Sequence, residues 1–283
     1  MKVLVTGAGG MVGRVVSQYC LAQGDSVSAL DHKTLDISDQ SKVHSALQRL
    51  QPEIVINCAA WTDVDGCESD QERAFAANAT GPHNLADSCA LLIARFVTIS
   101  TDYVFDGLKD GFYTEDDPPN PQSVYGISKL EGELHSLEAN PETVVVRSGF
   151  IFGVGGRNFL STVVQRARNG EQVRAIRDAF GTPTFANDLA ARLRELAMTK
   201  ASGVFHVTNS GGGVSYEEFA RAALTSAGCR GIAVEPVLME SLKRPAPRPR
   251  NSSLASVRPE ASLLSALPDW RESLANFINS IDG

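Results

Sequence analysis

The glycine-rich turn "TGAGGMVG" (6–13) leaves the apolar run "KVLVT" (2–6) without a linker, and few features restrict a fold so tightly. Gly7, Gly10 and Gly13 fall in a G-x-x-G-x-x-G spacing with Gly9 between them. Straight after a β-branched run, that spacing requires a strand that turns sharply into a helix. Such a turn lets the backbone approach a pyrophosphate, with unpaired N–H groups at the N-terminus of the helix facing the ligand. The chain therefore opens as the first half of a βαβ dinucleotide unit.

The pattern continues. "SVSALD" (26–31), "EIVINCA" (53–59), "ARFVTIS" (94–100) and "ETVVVRS" (142–148) read as four further strands, separated by helices at about 12–23, 38–50, 70–92 and 122–139. Ser38 or Asp39 caps the second helix, and Val43, Leu47 and Leu50 give it one apolar face. Strands alternating with helices predict a doubly wound parallel sheet, the α/β Rossmann fold. Beyond Gly149 the spacing loosens into a helix over 157–170, a short strand "EQVRAI", a helix over 187–200, a strand "GVFHVTN" (203–209) and a helix over 215–228. Ser215 caps this last helix with Glu218 at its third position. The proline-rich "KRPAPRPRNSS" (243–253) is neither helix nor central strand. The expected division is a Rossmann domain of 1–149 rejoined by 187–209, and a smaller α/β C-terminal substrate domain of 150–186 and 210–283.

Composition narrows the function classes. With 283 residues and 43% hydrophobic content the chain supports a substantial core. A net charge of -7 argues against nucleic acid as a partner. The five cysteines, Cys20, Cys58, Cys67, Cys89 and Cys229, are odd in number and lack CxxC spacing, which suits a cytoplasmic protein. No N-terminal apolar core of a signal peptide is present, and no apolar run approaches the ~20 residues of a membrane helix, so no membrane association is expected.

Individual residues then suggest chemistry. Asp31, ending the second strand, is placed to bind ribose hydroxyls, whereas His32 and Lys33 after it could take a 2′-phosphate, so NADPH and NADH both stay open. Asp36 either reaches an adenine amino group or caps a turn. Ala59 and Ala60 are small enough to let a cofactor pass close to the backbone. In "VYGISK" (124–129), Tyr125 and Lys129 stand four apart on one helix face. That spacing is common on surfaces, but it also sets an ammonium beside a phenol whose pKa of about 10 it would lower. Thr101 falls at the carboxyl end of the fourth strand, the edge where doubly wound sheets bind ligands. It either meets a ligand there or simply ends the strand, and Asp102 after it either joins the site or caps a turn.

Taken in order, "TGAGGMVG", "LDISD", "VINCAAWTDVD", "NATGPHNLA", "STDYVFDG", "YGISK" and "FGTPTFANDLA" make the chain similar to extended short-chain dehydrogenases. Within them it resembles the dTDP-4-dehydrorhamnose reductases, from Met1 into "RPRNSSL" (248–254). The resemblance implies reduction of the C4 ketone of a dTDP-4-keto-6-deoxyhexose by NADPH or NADH. Thr101, Tyr125 and Lys129 would be catalytic: Tyr125 as proton donor, Lys129 tuning it and holding the nicotinamide ribose, Thr101 bonding the substrate carbonyl. The implied cofactor contacts are Gly7, Gly10, Met11, Val12, Gly13, Asp31, His32, Lys33, Asp36, Ile37, Cys58, Ala59, Ala60, Thr62 and Asn78, with Tyr125 and Lys129. The sugar pocket would comprise Val64, Thr101, Asp102, Tyr103, Tyr125 and Phe150, with Arg248 and Asn251 on the nucleotide diphosphate.

Departures from the family pattern bear on the sugar rather than on hydride chemistry. Phe150 stands where these reductases commonly carry Trp, and Ala179 in "DAFG" replaces a polar side chain. Val15 occupies the position of a metal-holding glutamate found in dimeric relatives, so no metal is expected, while a homodimer stays open. An epimerase would use the same triad. A dehydratase would need an Asp-Glu pair after Thr101, where this chain has Asp102 and Tyr103. A non-catalytic NADP-binding regulatory subunit is the remaining alternative.

Overall fold

The computed structural model describes residues 1–156, 158–229, 231–258 and 264–282. Its first half runs β1 (Lys2–Thr6), α1 (Met11–Ala22), β2 (Ser26–Leu30), α2 (Gln40–Leu50), β3 (Ile54–Asn57), α3 (Val64–Ser69) and α4 (Gln71–Phe75). A π-helical turn (Ala76–Thr80) leads into α5 (Gly81–Leu92), β4 (Arg95–Thr101), a 3-10 turn (Asp102–Val104), α6 (Val124–Ala139) and β5 (Val144–Ser148). The second half comprises β6 (Ile151–Phe152), α7 (Phe159–Arg168), β7 (Val173–Ile176), β8 (Phe180–Gly181), β9 (Thr184–Phe185), α8 (Ala186–Ala197) and β10 (Gly203–His206). It ends with β11 (Val214–Ser215), α9 (Tyr216–Ser226), β12 (Val234–Val237), a second 3-10 turn (Met239–Ser241) and α10 (Trp270–Asp282).

Six parallel strands form the central sheet in the order β10-β5-β4-β3-β1-β2. The chain moves outward from β1 to β2 and then crosses to β3, so the strand order reverses between β1 and β3. Ligands of doubly wound sheets bind at such a crevice, outside the carboxyl ends of the strands. Side chains alternate between two covering layers, as a strand period of two demands. Val3, Val5, Ile56 and Val146 pack against α1 and α8 through Val16, Leu189 and Leu193. Leu4, Val55 and Phe96 face α2 and α5 through Val43, Leu47 and Leu85. Burial on both faces explains why β1, β3 and β5 read as nearly continuous apolar runs.

The five expected strands and the later "GVFHVTN" strand all appear, the last as β10 beside β5. Asp39, not Ser38, caps α2, accepting from the Lys42 N–H at 3.1 Å. The Ser215–Glu218 capping box is formed at α9. The expected helix over 70–92 is instead three pieces, because Pro82 has no N–H to offer the carbonyl of Asn78 and the ladder slips into the π turn. Arg157 of the expected 157–170 helix lies outside the described residues, as do 230, 259–263 and 283 of the expected substrate domain. Two helices, α3 and α10, have no counterpart in the sequence reading. Within α10, Trp270, Leu274, Phe277 and Ile278 repeat at helical spacing and join Phe152, Phe185 and Phe219 in a second core. This second unit lies against the carboxyl edge of the sheet. No helix among the described residues is long and apolar enough to cross a membrane.

Candidate active site

Two adjoining cavities lie along the carboxyl edge. The first, about 570 Å³, is lined by Gly7, Gly10, the 31–38 segment after β2, Cys58–Trp61 after β3, and Arg73. Gly7 takes φ +66°, and a Cβ on Gly13 would lie 2.2 Å from the Gly7 carbonyl oxygen, so the turn closes only on glycine. No side chain caps α1 at Gly10. A bare backbone cradle at a helix N-terminus fits a pyrophosphate.

Of the expected cofactor residues, Gly7, Gly10, Asp31, His32, Lys33, Asp36, Ile37, Cys58, Ala59 and Ala60 face this cleft. Asp31 accepts from the N–H groups of Lys33 and Thr34 and from the Thr34 hydroxyl, which together hold its carboxyl below the usual range. Asp36 caps its own turn, accepting from Ser38 N–H at 3.1 Å and Ser38 Oγ at 2.7 Å. Val12, Thr62, Tyr125 and Lys129 line the adjoining cavity instead, and three residues face neither. Gly13 packs beneath the turn, and Met11 abuts Gly153 and Gly156 at the entry to the second unit. Asn78 is fully buried, its amide gripping the backbone N–H and C=O of Trp61 at 2.8 and 3.0 Å, so it fixes the cleft wall from behind. Trp61 and Arg73 are lining residues the sequence reading missed; the guanidinium sits 4.4 Å over the indole. No local signal marks Arg73, because the loop that it covers comes from another element.

The second cavity, about 350 Å³, shares Cys58, Ala59 and Ala60 with the first, and Val12, Thr62, Val64, Thr101, Asp102, Tyr103, Tyr125, Lys129 and Phe150 also line it. β4 ends at Thr101, and Ser123 caps α6, so Tyr125 and Lys129 fall in its first two turns. Burial pushes the Tyr125 phenol well above its ordinary value, opposed by the Thr101 hydroxyl beside it. The expected pairing of the phenol with Lys129 takes a different form: the ammonium donates to the Ile99 carbonyl at 2.7 Å. Burial draws Lys129 down to about 8, with the Glu133 charge pulling upward.

Asp102 is buried, its carboxyl pushed up to about 6 by burial, while the Ser252 and Thr101 hydroxyls that donate to it work the other way. Phe150 has φ +44°, the left-handed region, and its ring lies 4.2 Å from that of Tyr216. Tyr216 is a further lining residue missed in sequence, delivered from the second unit by the start of α9. Arg248 forms a two-pronged pair with Asp65, at 2.5 and 2.8 Å, in a narrow crevice with Tyr103, Phe150, Ala179 and Tyr216. Asn251 is not brought to this cavity. Its amide donates to the carbonyls of Lys109 and Gly111, pinning a surface loop on the far side. Among the described residues no group of three or more His, Cys, Asp or Glu could hold a metal.

A doubly wound sheet with its glycine turn at the strand-order reversal, and a Thr, Tyr and Lys gathered beside it under a small C-terminal unit, defines an extended short-chain dehydrogenase. Residues 1–282 match the family model described as RmlD substrate binding domain. The dTDP-4-dehydrorhamnose reductase of Streptomyces griseus is 38% identical over 99% of this chain and 94% of that protein. The crystal structure of the Clostridium acetobutylicum dTDP-4-dehydrorhamnose reductase superposes with a TM-score of 0.95 at 36% identity, covering 100% of both chains. That of Bacillus anthracis, in complex with NADP, gives 0.94 at 33% identity, covering 99% of each. The chain belongs to the dTDP-4-dehydrorhamnose reductase family of sugar-nucleotide 4-ketoreductases.

Proposed function

We propose that the protein reduces the C4 ketone of a dTDP-4-keto-6-deoxyhexose to the alcohol with NADPH or NADH, Tyr125 giving the proton. The single observation that carries this reading is the wall shared by the two cavities: Cys58, Ala59 and Ala60 border both the dinucleotide cleft and the cavity holding Thr101, Tyr125 and Lys129. The dinucleotide, when bound, supplies a hydride. Gly7 and Gly10 would take its pyrophosphate, Asp31 its ribose, and Lys33 a 2′-phosphate, consistent with NADP in the Bacillus anthracis relative.

Residues of this chain do the rest. A phenol whose pKa is raised by burial holds its proton until a strong base, such as the alkoxide developing at C4, is in contact. Thr101 hydrogen-bonds the carbonyl oxygen before transfer. Lys129, charged at neutral pH, lowers the cost of the phenolate that remains. Tyr103, Phe150 and Tyr216 enclose the sugar and keep water out, and Arg248 draws the diphosphate. On this reading residues 1–149 and 187–209 form the cofactor domain, with 150–186 and 210–283 the substrate domain. The test is incubation with a dTDP-4-keto-6-deoxy sugar and NADPH. Oxidation at the nicotinamide band, with an alcohol at C4 by NMR, is expected; cofactor and sugar binding without turnover would overturn the reading.

A further inference from the structure

One turn below the lysine lies a buried ion pair that the reaction itself does not use. Tyr125, Lys129 and Glu133 succeed one another at four-residue intervals along α6, so all three share a face. The Glu133 carboxylate is fixed from two strands. Ser100 of β4 donates to its Oε1 at 2.5 Å, next along the chain from the Ile99 carbonyl that receives Lys129. Arg147, paired with Ser100 in the β4–β5 register, reaches Oε1 with Nε at 2.9 Å and Oε2 with Nη2 at 2.6 Å. Lys129, Glu133 and Arg147 are only 4%, 2% and 4% exposed. Buried ion pairs seldom stabilise a fold more than apolar side chains of the same volume, so a pair in this position calls for another role.

The charged and titratable surroundings are few. Tyr125 faces Lys129 from α6, Cys58 from the loop after β3, and Asp102 lines the same cavity at the end of β4. On the far side Arg147 covers the Phe105 ring at 5.2 Å, with His206 of β10 and its partner Glu115 beyond. Of these, Glu133 is the group that acts most strongly to keep the ammonium charged, against burial.

We propose that Glu133 is a positioning residue: its carboxylate, clamped by Arg147 and Ser100, keeps the Lys129 ammonium charged and held at the Ile99 carbonyl beneath Tyr125. This rests on the reading of Lys129 as part of the reductive site. Burial already brings Lys129 down to about 8, so without the carboxylate its titration would pass into the neutral range.

Glu133→Gln alone leaves Arg147 buried without a counter-charge and tests folding as much as function. The decisive variant is therefore Glu133→Gln with Arg147→Met, which removes both charges, accompanied by Arg147→Met alone and by Glu133→Asp. Lys129 is followed by NMR of isotopically labelled lysine side chains, assigned by its loss in Lys129→Met. The double variant should titrate Lys129 about one unit or more lower, with the basic limb of the pH–activity profile moving down alongside. Arg147→Met, which keeps the carboxylate, should not lower the midpoint, and Glu133→Asp should stay near wild type. A wild-type midpoint in the double variant, or a lowered one in Arg147→Met, would overturn the proposal. The titration needs no substrate. A lowered midpoint in an enzyme that does not turn over the sugar nucleotide therefore supports the role of Glu133 and counts against the reductase reading instead.

Discussion

The Ser252 hydroxyl donates to the Asp102 carboxylate, tying the proline-rich loop to the end of β4 across 150 residues of sequence. Asp102 stands beside Thr101 in the cavity, and burial raises its carboxyl from 3.8 to about 6. The native state thus holds a proton between about pH 4 and 6 that the unfolded chain has released. The stability associated with that proton is fully present below about pH 4 and is lost as pH rises through 6, a change of about 3 kcal/mol. Asp102→Asn removes this slope. Denaturant unfolding from pH 4 to 7 should show wild type losing ground to the variant over that window, and a pH-independent difference would refute the buried acid. Ser252→Ala removes a bond that lowers the Asp102 value, so in that variant the window should extend to higher pH.

The closed glycine turn makes a second prediction. A methyl group at Gly13 meets the Gly7 carbonyl oxygen at 2.2 Å, a backbone atom that moves only with the whole cradle. Gly13→Ala should cost about 1–3 kcal/mol by overpacking and weaken NADPH binding at least tenfold. Thermal unfolding and a cofactor fluorescence titration check both, and unaltered binding would show that the cradle tolerates a shift.

Local features are legible in the sequence. Gly7 to Gly13 show because a tight turn restricts the residue types allowed at each position, and Tyr125 with Lys129 show because four residues make one helical turn. Periodicity reads 70–92 as one helix and passes over Pro82, where the ladder breaks near Asn78. What depends on distant chain segments was not legible. Tyr216 lines the cavity and Ser252 reaches Asp102 from the neighbouring crevice because the second unit folds back over the sheet, and nothing in "VSYEEF" or "RNSSL" distinguishes an inward side chain from an outward one. Asn251 illustrates the same gap in reverse: a basic, proline-rich stretch indicates a loop, but not which carbonyls the loop will meet. The orientation of Lys129 toward Ile99 is likewise fixed by the sheet beneath α6, not by its spacing from Tyr125.

Cofactor preference should respond to Lys33. Asp31 Oδ1 is engaged with the backbone of Lys33 and Thr34, and the exposed Lys33 side chain at the cleft margin is a cation next along the chain, whereas the Arg73 guanidinium in the same cleft is stacked over Trp61. Lys33→Ala should lower the ratio of kcat/KM for NADPH over NADH about tenfold, the order of one hydrogen bond to a charged group. Steady-state kinetics with both cofactors measures it. An unchanged ratio would mean that Lys33 does not reach the phosphate.

Tyr125→Phe tests the mechanism most directly, because it deletes one oxygen from a buried ring and leaves the packing against Tyr103, 5.8 Å between centroids, in place. If the phenol protonates the C4 oxygen, turnover should fall by about 10²–10⁴, or roughly 3–5 kcal/mol of barrier. Cofactor affinity should hardly change, since Lys129 and the glycine cradle are untouched. Lys129→Ala should behave differently, weakening cofactor binding as well as turnover. If Tyr125 were only a packed helix residue, the Phe variant would lose a little stability and keep its rate. Steady-state rates on a verified sugar nucleotide, with cofactor titrations of both variants, separate the two cases, and near wild-type turnover of Tyr125→Phe would sink the proton-donor assignment.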